Sequence, residues 1–141
     1  MLSVDQEGAM AASHHGLEDL VVYQKARALR RELYLLVRTF PPHEKFNLSP
    51  QIRRAATSVT NNIAEGHGRY HFQESIQFFR HARGSLEELI DDLNICLDEN
   101  YAPETKIKEL RERAEEVERL INGYIRFLQR SKEAHETSHR S

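Results

Sequence analysis

The sequence predicts an all-α fold, an antiparallel up-down-up-down four-helix bundle, and three observations carry that prediction. Apolar residues recur at spacings of three and four along four long stretches. The four prolines, Pro41, Pro42, Pro50 and Pro103, stand at the boundaries of those stretches. The connections are too short to return the chain along a helix's length, so successive helices must run antiparallel, and no segment reads as a strand.

Residues 1–16, rich in small and polar types without sustained periodicity, are expected to be a disordered leader or a cloning remnant. A first helix is expected from about Leu17 to Thr39, with Val22, Ala26, Leu29, Leu33, Leu36 and Phe40 repeating every seven residues until the two prolines stop it. A second runs from Pro50 to Glu65. Ser49 is its expected cap, and Gly66 with Gly68 is expected to end it in left-handed geometry. Its core stripe is Ile52, Ala56, Val59 and Ile63. The third starts near Phe72 and continues through Ile76, Phe79, Ala82, Leu86, Ile90, Leu93 and Leu97 as the central strut. The fourth opens at Pro103 and carries the most regular pattern, Ile107, Leu110, Ala114, Val117, Ile121, Tyr124 and Leu128. The bundle domain is thus placed at residues 17–130, with a disordered polar tail at 131–141.

Composition narrows the function classes. A chain of 141 residues suits one domain with a real core, and 39% apolar with 30% charged residues and no Trp suits helices with solvated outer faces. No stretch approaches the roughly 20 apolar residues that spanning a membrane requires, and the start of the chain has no signal-peptide pattern, so a cytoplasmic protein is expected. The single Cys96 excludes an internal disulfide and a zinc site built of cysteines. The formal charge of −2 conceals a division. Residues 1–83 hold eleven Lys/Arg against eight Asp/Glu, and residues 84–141 hold nine against fourteen.

Three groups of residues stand out as candidate sites. Arg27, Arg31, Tyr34 and Arg38 share one face of the first helix, opposite its core stripe. Arginines can neutralise phosphates and a tyrosine can stack on an unpaired base, so this is the candidate nucleic-acid surface; a solvated face is the simpler alternative. Arg54, Ser58, Asn61, Glu65 and Arg69 form a polar stripe on the second helix, read as a structural network between helices or subunits. If that stripe is buried, removing Glu65 should strand a cation. Phe78, Leu89 and Cys96 widen the apolar face of the third helix beyond its seam and are the candidate oligomer interface. Glu65 has no accompanying nucleophile, and the glycines at 66 and 68 lack the strand and Lys of a phosphate loop. His67 and His71 are not expected to share a helical face, and His14, His15, His135 and His139 lie in segments expected to be disordered. No catalytic residue, metal site, cofactor or small-molecule substrate is therefore expected.

The runs IRRAATSVTNNIAEGHGR and FRHARGSLEEL, with the opening LEDLVVYQKA, the junction FPPHEKFNLSPQIRRA and the spacing of Ala82, Gly84, Ser85, Glu88 and Leu89, carry a resemblance. From Leu17 to about Leu128 the chain resembles the four-helix bundle proteins encoded by intervening sequences in bacterial 23S ribosomal RNA genes. More distantly it is similar to accessory proteins of diversity-generating retroelements, homopentameric rings that engage nucleic acid and a reverse transcriptase. The resemblance implies a homo-oligomer, a pentamer in its fullest form, with no established catalytic activity and an association with RNA inferred from genetic location. The expectation is a noncatalytic, self-assembling scaffold for RNA or an RNA-associated protein. The alternative is a purely protein-binding or structural oligomer.

Overall fold

The computed structural model describes residues 16–140, so residues 1–15 of the expected leader, with His14 and His15, and Ser141 lie outside the described residues. Four helices account for most of that span: α1 (Val21–Val37), α2 (Leu48–His67), α3 (Phe72–Asp98) and α4 (Glu104–Arg140). Pairs across each interface show their directions. Arg30 meets Thr60 at 2.8 Å while Tyr34, further along α1, meets Thr57, earlier on α2. Gln51 meets Asp92 and Ser58 meets Ser85 across α2 and α3. Arg83 meets Asn122 at 2.8 Å and Asn94 meets Arg111 at 3.2 Å across α3 and α4. Lys25 faces Glu116 and Glu32 faces Lys106, closing α4 onto α1. In every case one number rises as the other falls, so the bundle is antiparallel throughout.

The core forms where the predicted stripes converge. Leu29, Leu33, Ile52, Ile63, Phe79, Leu86, Leu93, Leu110 and Ile121 are each no more than 2% exposed. Burial of such side chains stabilises the fold by about 1.5–3 kcal/mol each before the entropy of ordering is counted. No described helix is long and apolar enough to cross a membrane.

Several boundaries differ from the sequence expectation, each for a local reason. α1 begins at Val21 because residues Leu17–Asp19 form a 3-10 turn and Leu20 adopts extended geometry, φ −71° and ψ 124°, that inserts its side chain fully into the core. Before α2, the Glu44 carboxylate accepts a bond from the Leu48 N–H at 3.3 Å, so capping comes from the turn and not from Ser49. Pro50 sits within the first turn, where its missing N–H is still harmless. Neither glycine at the end of α2 is left-handed: Gly66 is inside the helix, and Gly68 has φ −82°. The left-handed residue is instead Asn100, at φ 58°. There the Tyr101 N–H bonds back to the Cys96 carbonyl at 2.9 Å and the Asn100 N–H to that of Leu97 at 3.2 Å, the paired bonds of a Schellman closure. Finally α4 continues through the tail expected to be disordered, reaching Arg140. Lys132 bonds Gln73 at 3.0 Å and the His135 ring packs against Phe72, so the early part of that extension lies along the start of α3.

Candidate nucleic-acid interface

Between residues 21 and 64 the chain carries eight Lys/Arg and only two Asp/Glu, Glu32 and Glu44. Folding turns both carboxylates away from the outer face of α1 and α2. Glu32 is paired with Lys106 of α4, and Glu44 accepts bonds from the Tyr101 hydroxyl at 2.6 Å and from the Leu48 N–H. The hydroxyl bond holds the Glu44 carboxyl below its ordinary value and pushes the Tyr101 phenol up to about 12. Arg27, Arg31 and Arg38 stay exposed, and none is ion-paired among the described residues. Lys25 pairs with Glu116 of α4 and Arg30 bonds the buried Thr60, so the positive charge that faces outward from α1 and α2 is chiefly that of Arg27, Arg31, Arg38 and Arg54.

Tyr34 behaves differently from the three arginines beside it. Its hydroxyl bonds Thr57 of α2, and the Arg53 guanidinium lies 4.8 Å from its ring centre. With its hydroxyl bound and Arg53 over its ring, the tyrosine ties α1 to α2 and is no open stacking platform. Beyond it, a shallow groove of about 520 Å³ runs along α2, lined by Arg53, Arg54, Thr57, Ser58, Asn61 and Asn62. All six side chains can hydrogen-bond and none is acidic, a lining suited to phosphate and sugar oxygens. Sequence reasoning singled out Arg54, Ser58 and Asn61 from this groove but assigned them to an internal network; Arg53, Thr57 and Asn62 were missed.

The polar stripe of α2 is divided by the fold. Ser58 is half-buried and bonds Ser85 at 2.7 Å, with the Asn62 amide donating to it at 3.0 Å. Arg54 and Asn61 are exposed. Glu65 and Arg69 pair at 2.6 Å one turn apart, but their side chains are 57% and 41% exposed. Removing Glu65 within this subunit should accordingly cost no more than about 1 kcal/mol, not the larger penalty of a buried pair.

The apolar widening of α3 also finds its cause inside the subunit. Leu89 and Cys96 are buried in the bundle core, so they correct the expectation of an oligomer interface there. Burial, reinforced by Asp92 and Glu44, pushes the Cys96 thiol up to about 12, which leaves it unreactive at neutral pH. Phe78 is half-buried beneath the Arg69 guanidinium, 4.7 Å from its ring centre. Among the described residues, Leu35, Phe46 and Tyr70 are the large apolar side chains left in water, Phe46 at 83% and Tyr70 at 92% exposure. Among the described residues no group of three metal-ligating side chains comes together.

No curated protein matches the chain. A crystal structure of a protein of unknown function from the S23 ribosomal protein family of Bacteroides thetaiotaomicron superimposes with a TM-score of 0.70 at 21% identity. The match covers 74% of this chain and 98% of that one, and at this identity it shows a shared fold. Residues 18–123 match the family described as 23S rRNA-intervening sequence protein. With three-quarters of its length matched and the four-helix fold in agreement, the chain belongs to the 23S rRNA-intervening sequence protein family.

Proposed function

We infer that this protein is a noncatalytic scaffold that holds RNA against the outer face of α1 and α2. The observation that supports this reading best is the exposure of Arg27, Arg31, Arg38 and Arg54 without ion-pair partners among the described residues, while Glu32 is engaged by Lys106 and Glu44 by Tyr101. Arg27, Arg31 and Arg38 supply phosphate contacts from α1, and Arg53 and Arg54 extend them into the groove along α2. A polar groove without base-sized walls favours backbone contacts, so binding should follow RNA shape and charge more than sequence. The family's association with ribosomal RNA intervening sequences agrees with this chemistry.

Self-assembly is part of the same proposal. A subunit of net charge −2 attracts RNA weakly by itself, but a homo-oligomer, a pentamer in the arrangement implied by the resemblance, repeats the face and converts later contacts into intramolecular ones. Exposed Leu35, between Arg31 and Arg38 on α1, and Phe46, in the loop preceding α2, are apolar positions that subunit or protein contacts could cover. They also support the second reading, a purely protein-binding oligomer. Electrophoretic mobility of a structured RNA at two salt concentrations separates the two, since phosphate-driven binding must weaken as salt rises. Light scattering tests assembly, and a monomeric mass at micromolar concentration would remove that part of the proposal.

A further inference from the structure

At the opposite end of the bundle from the α1–α2 loop, a second cavity of about 430 Å³ opens where the α2–α3 turn meets the C-terminal extension of α4. Its size falls within the range of small-molecule sites. Four aromatic side chains line it: Tyr70 and Phe72 from the turn and the start of α3, Tyr124 and Phe127 from α4. His67 and Arg69 stand at its polar side, and Ser131, on the α4 extension, completes the wall.

Tyr124 shows that the cavity is more than an apolar dent. The residue is only 5% exposed, its ring stacked on Phe79 at 4.5 Å, yet its hydroxyl makes no hydrogen bond with the described residues. Its oxygen is not among the fully buried polar atoms left without a partner, so it keeps contact with water at the cavity, and a ligand that fills the cavity must replace that hydration. The neighbouring hydroxyls are already engaged, Ser75 with the Gly66 carbonyl at 2.8 Å and Ser131 with that of Phe127 at 2.9 Å. Burial pushes the Tyr124 phenol up to about 12, so at neutral pH it is a donor. Arg69 commits one nitrogen to Glu65 and retains further N–H groups for an anion. Tyr70, 92% exposed, meets the edge of His71 at 5.2 Å and leaves most of its ring in water.

We propose that this cavity binds a nucleotide unit, a planar base between the aromatic side chains with its edge on the Tyr124 hydroxyl and its phosphate at Arg69. A purely apolar ligand would leave the phenol unsatisfied, whereas a base supplies both a π-face and hydrogen-bonding atoms. The unit could come from a free mononucleotide or from an unpaired nucleotide of RNA. The site is separate from the α1 and α2 face and does not depend on it.

Titration calorimetry of the full chain with the four nucleoside 5′-monophosphates, adenosine and a single-stranded tetra-adenylate tests the proposal. At least one monophosphate should bind saturably. Tyr70→Ala, at a position that contributes nothing to the core, should weaken binding at least about fivefold by removing a stacking surface. Tyr124→Phe should weaken nucleotide and nucleoside alike, and Arg69→Ala should weaken adenosine monophosphate while sparing adenosine. Tighter binding of the tetranucleotide would identify the RNA source; equal or weaker binding would identify the free nucleotide. The Arg27, Arg31 and Arg38 to Ala variant should bind monophosphates as the wild type does, so this site and the basic face can fail independently. Absence of saturable binding by every probe, or binding unchanged in both Tyr70→Ala and Tyr124→Phe with wild-type helicity, would overturn the proposal.

Discussion

Gly66 lies so close to Phe79 that a Cβ at position 66 would stand 2.9 Å from two carbons of the phenyl ring. Phe79 is fully buried and cannot retreat. The glycine therefore sets how closely the end of α2 approaches α3, and its carbonyl is held there by the Ser75 hydroxyl. Gly84, in the middle of α3, is the opposite case, since a Cβ there would meet no atom within 4 Å.

These two glycines should respond to alanine with opposite signs. Gly66→Ala should lower stability by about 1–3 kcal/mol through overpacking, outweighing the better helix propensity of alanine. Gly84→Ala should raise it by up to about 1 kcal/mol. Urea midpoints at matched slope provide the comparison, and a stabilised Gly66→Ala would show that α2 and α3 have room between them for a methyl group.

Asn100 gives a second test of local geometry. Because it holds the left-handed position that closes α3, Asn100→Ala should cost about 1 kcal/mol, whereas Asn100→Gly should be neutral or stabilising. Thermal melts of the two variants should fall on opposite sides of the wild type or place glycine level with it. Equal losses would mean that the asparagine side chain, and not its backbone, is what matters.

Glu118 couples stability to pH. Its carboxyl shares a hydrogen bond with Glu87 across α3 and α4, and this contact, with burial and the charges of Glu87 and Glu115, outweighs Arg83 and raises it to about 7. From an ordinary value of 4.5, the folded state binds the extra proton between about pH 4.5 and 7, so the pair's contribution is present at low pH and disappears as pH rises through that window. Asp92, raised chiefly by burial, acts in the same direction. Subtracting the profile of Glu118→Gln isolates the pair: wild type should lose more stability than the variant between about pH 5 and 8. Parallel profiles would contradict the shared proton.

The helices were legible in the sequence because each buries one stripe, and threes-and-fours periodicity reports that stripe directly. Their ends were less so. Ser49 has the right side chain for a cap, but Glu44, four residues before Leu48, reaches the first turn because the 3-10 turn Pro42–Glu44 and the distant Tyr101 hydroxyl position it, and spacing does not encode that. Gly66 resembled a helix stop, yet its role is contact with a ring thirteen positions away. Asn100 carried a signal that could have been read, since asparagine tolerates left-handed geometry and follows the last apolar residues of α3. At the candidate interface the arginine spacing found Arg27, Arg31 and Arg38, but could not show that Tyr34 bonds Thr57 beneath Arg53. The aromatic cavity escaped notice because Tyr124 and Leu128 belong to the apolar stripe of α4 and read simply as core, and spacing does not show that the α2–α3 turn meets them.

The most direct test of the central claim is the salt dependence of binding to a structured RNA, measured for the wild type and for the variant with Arg27, Arg31 and Arg38 all changed to Ala. The outer face of α1 and α2 predicts binding at low salt that weakens as salt rises. In the variant, affinity should fall and the log–log slope should flatten by roughly one unit for each phosphate that is no longer neutralised, with helicity and oligomer mass unchanged. A wild type that binds no RNA at low salt, or a variant whose affinity and slope match the wild type, would contradict it.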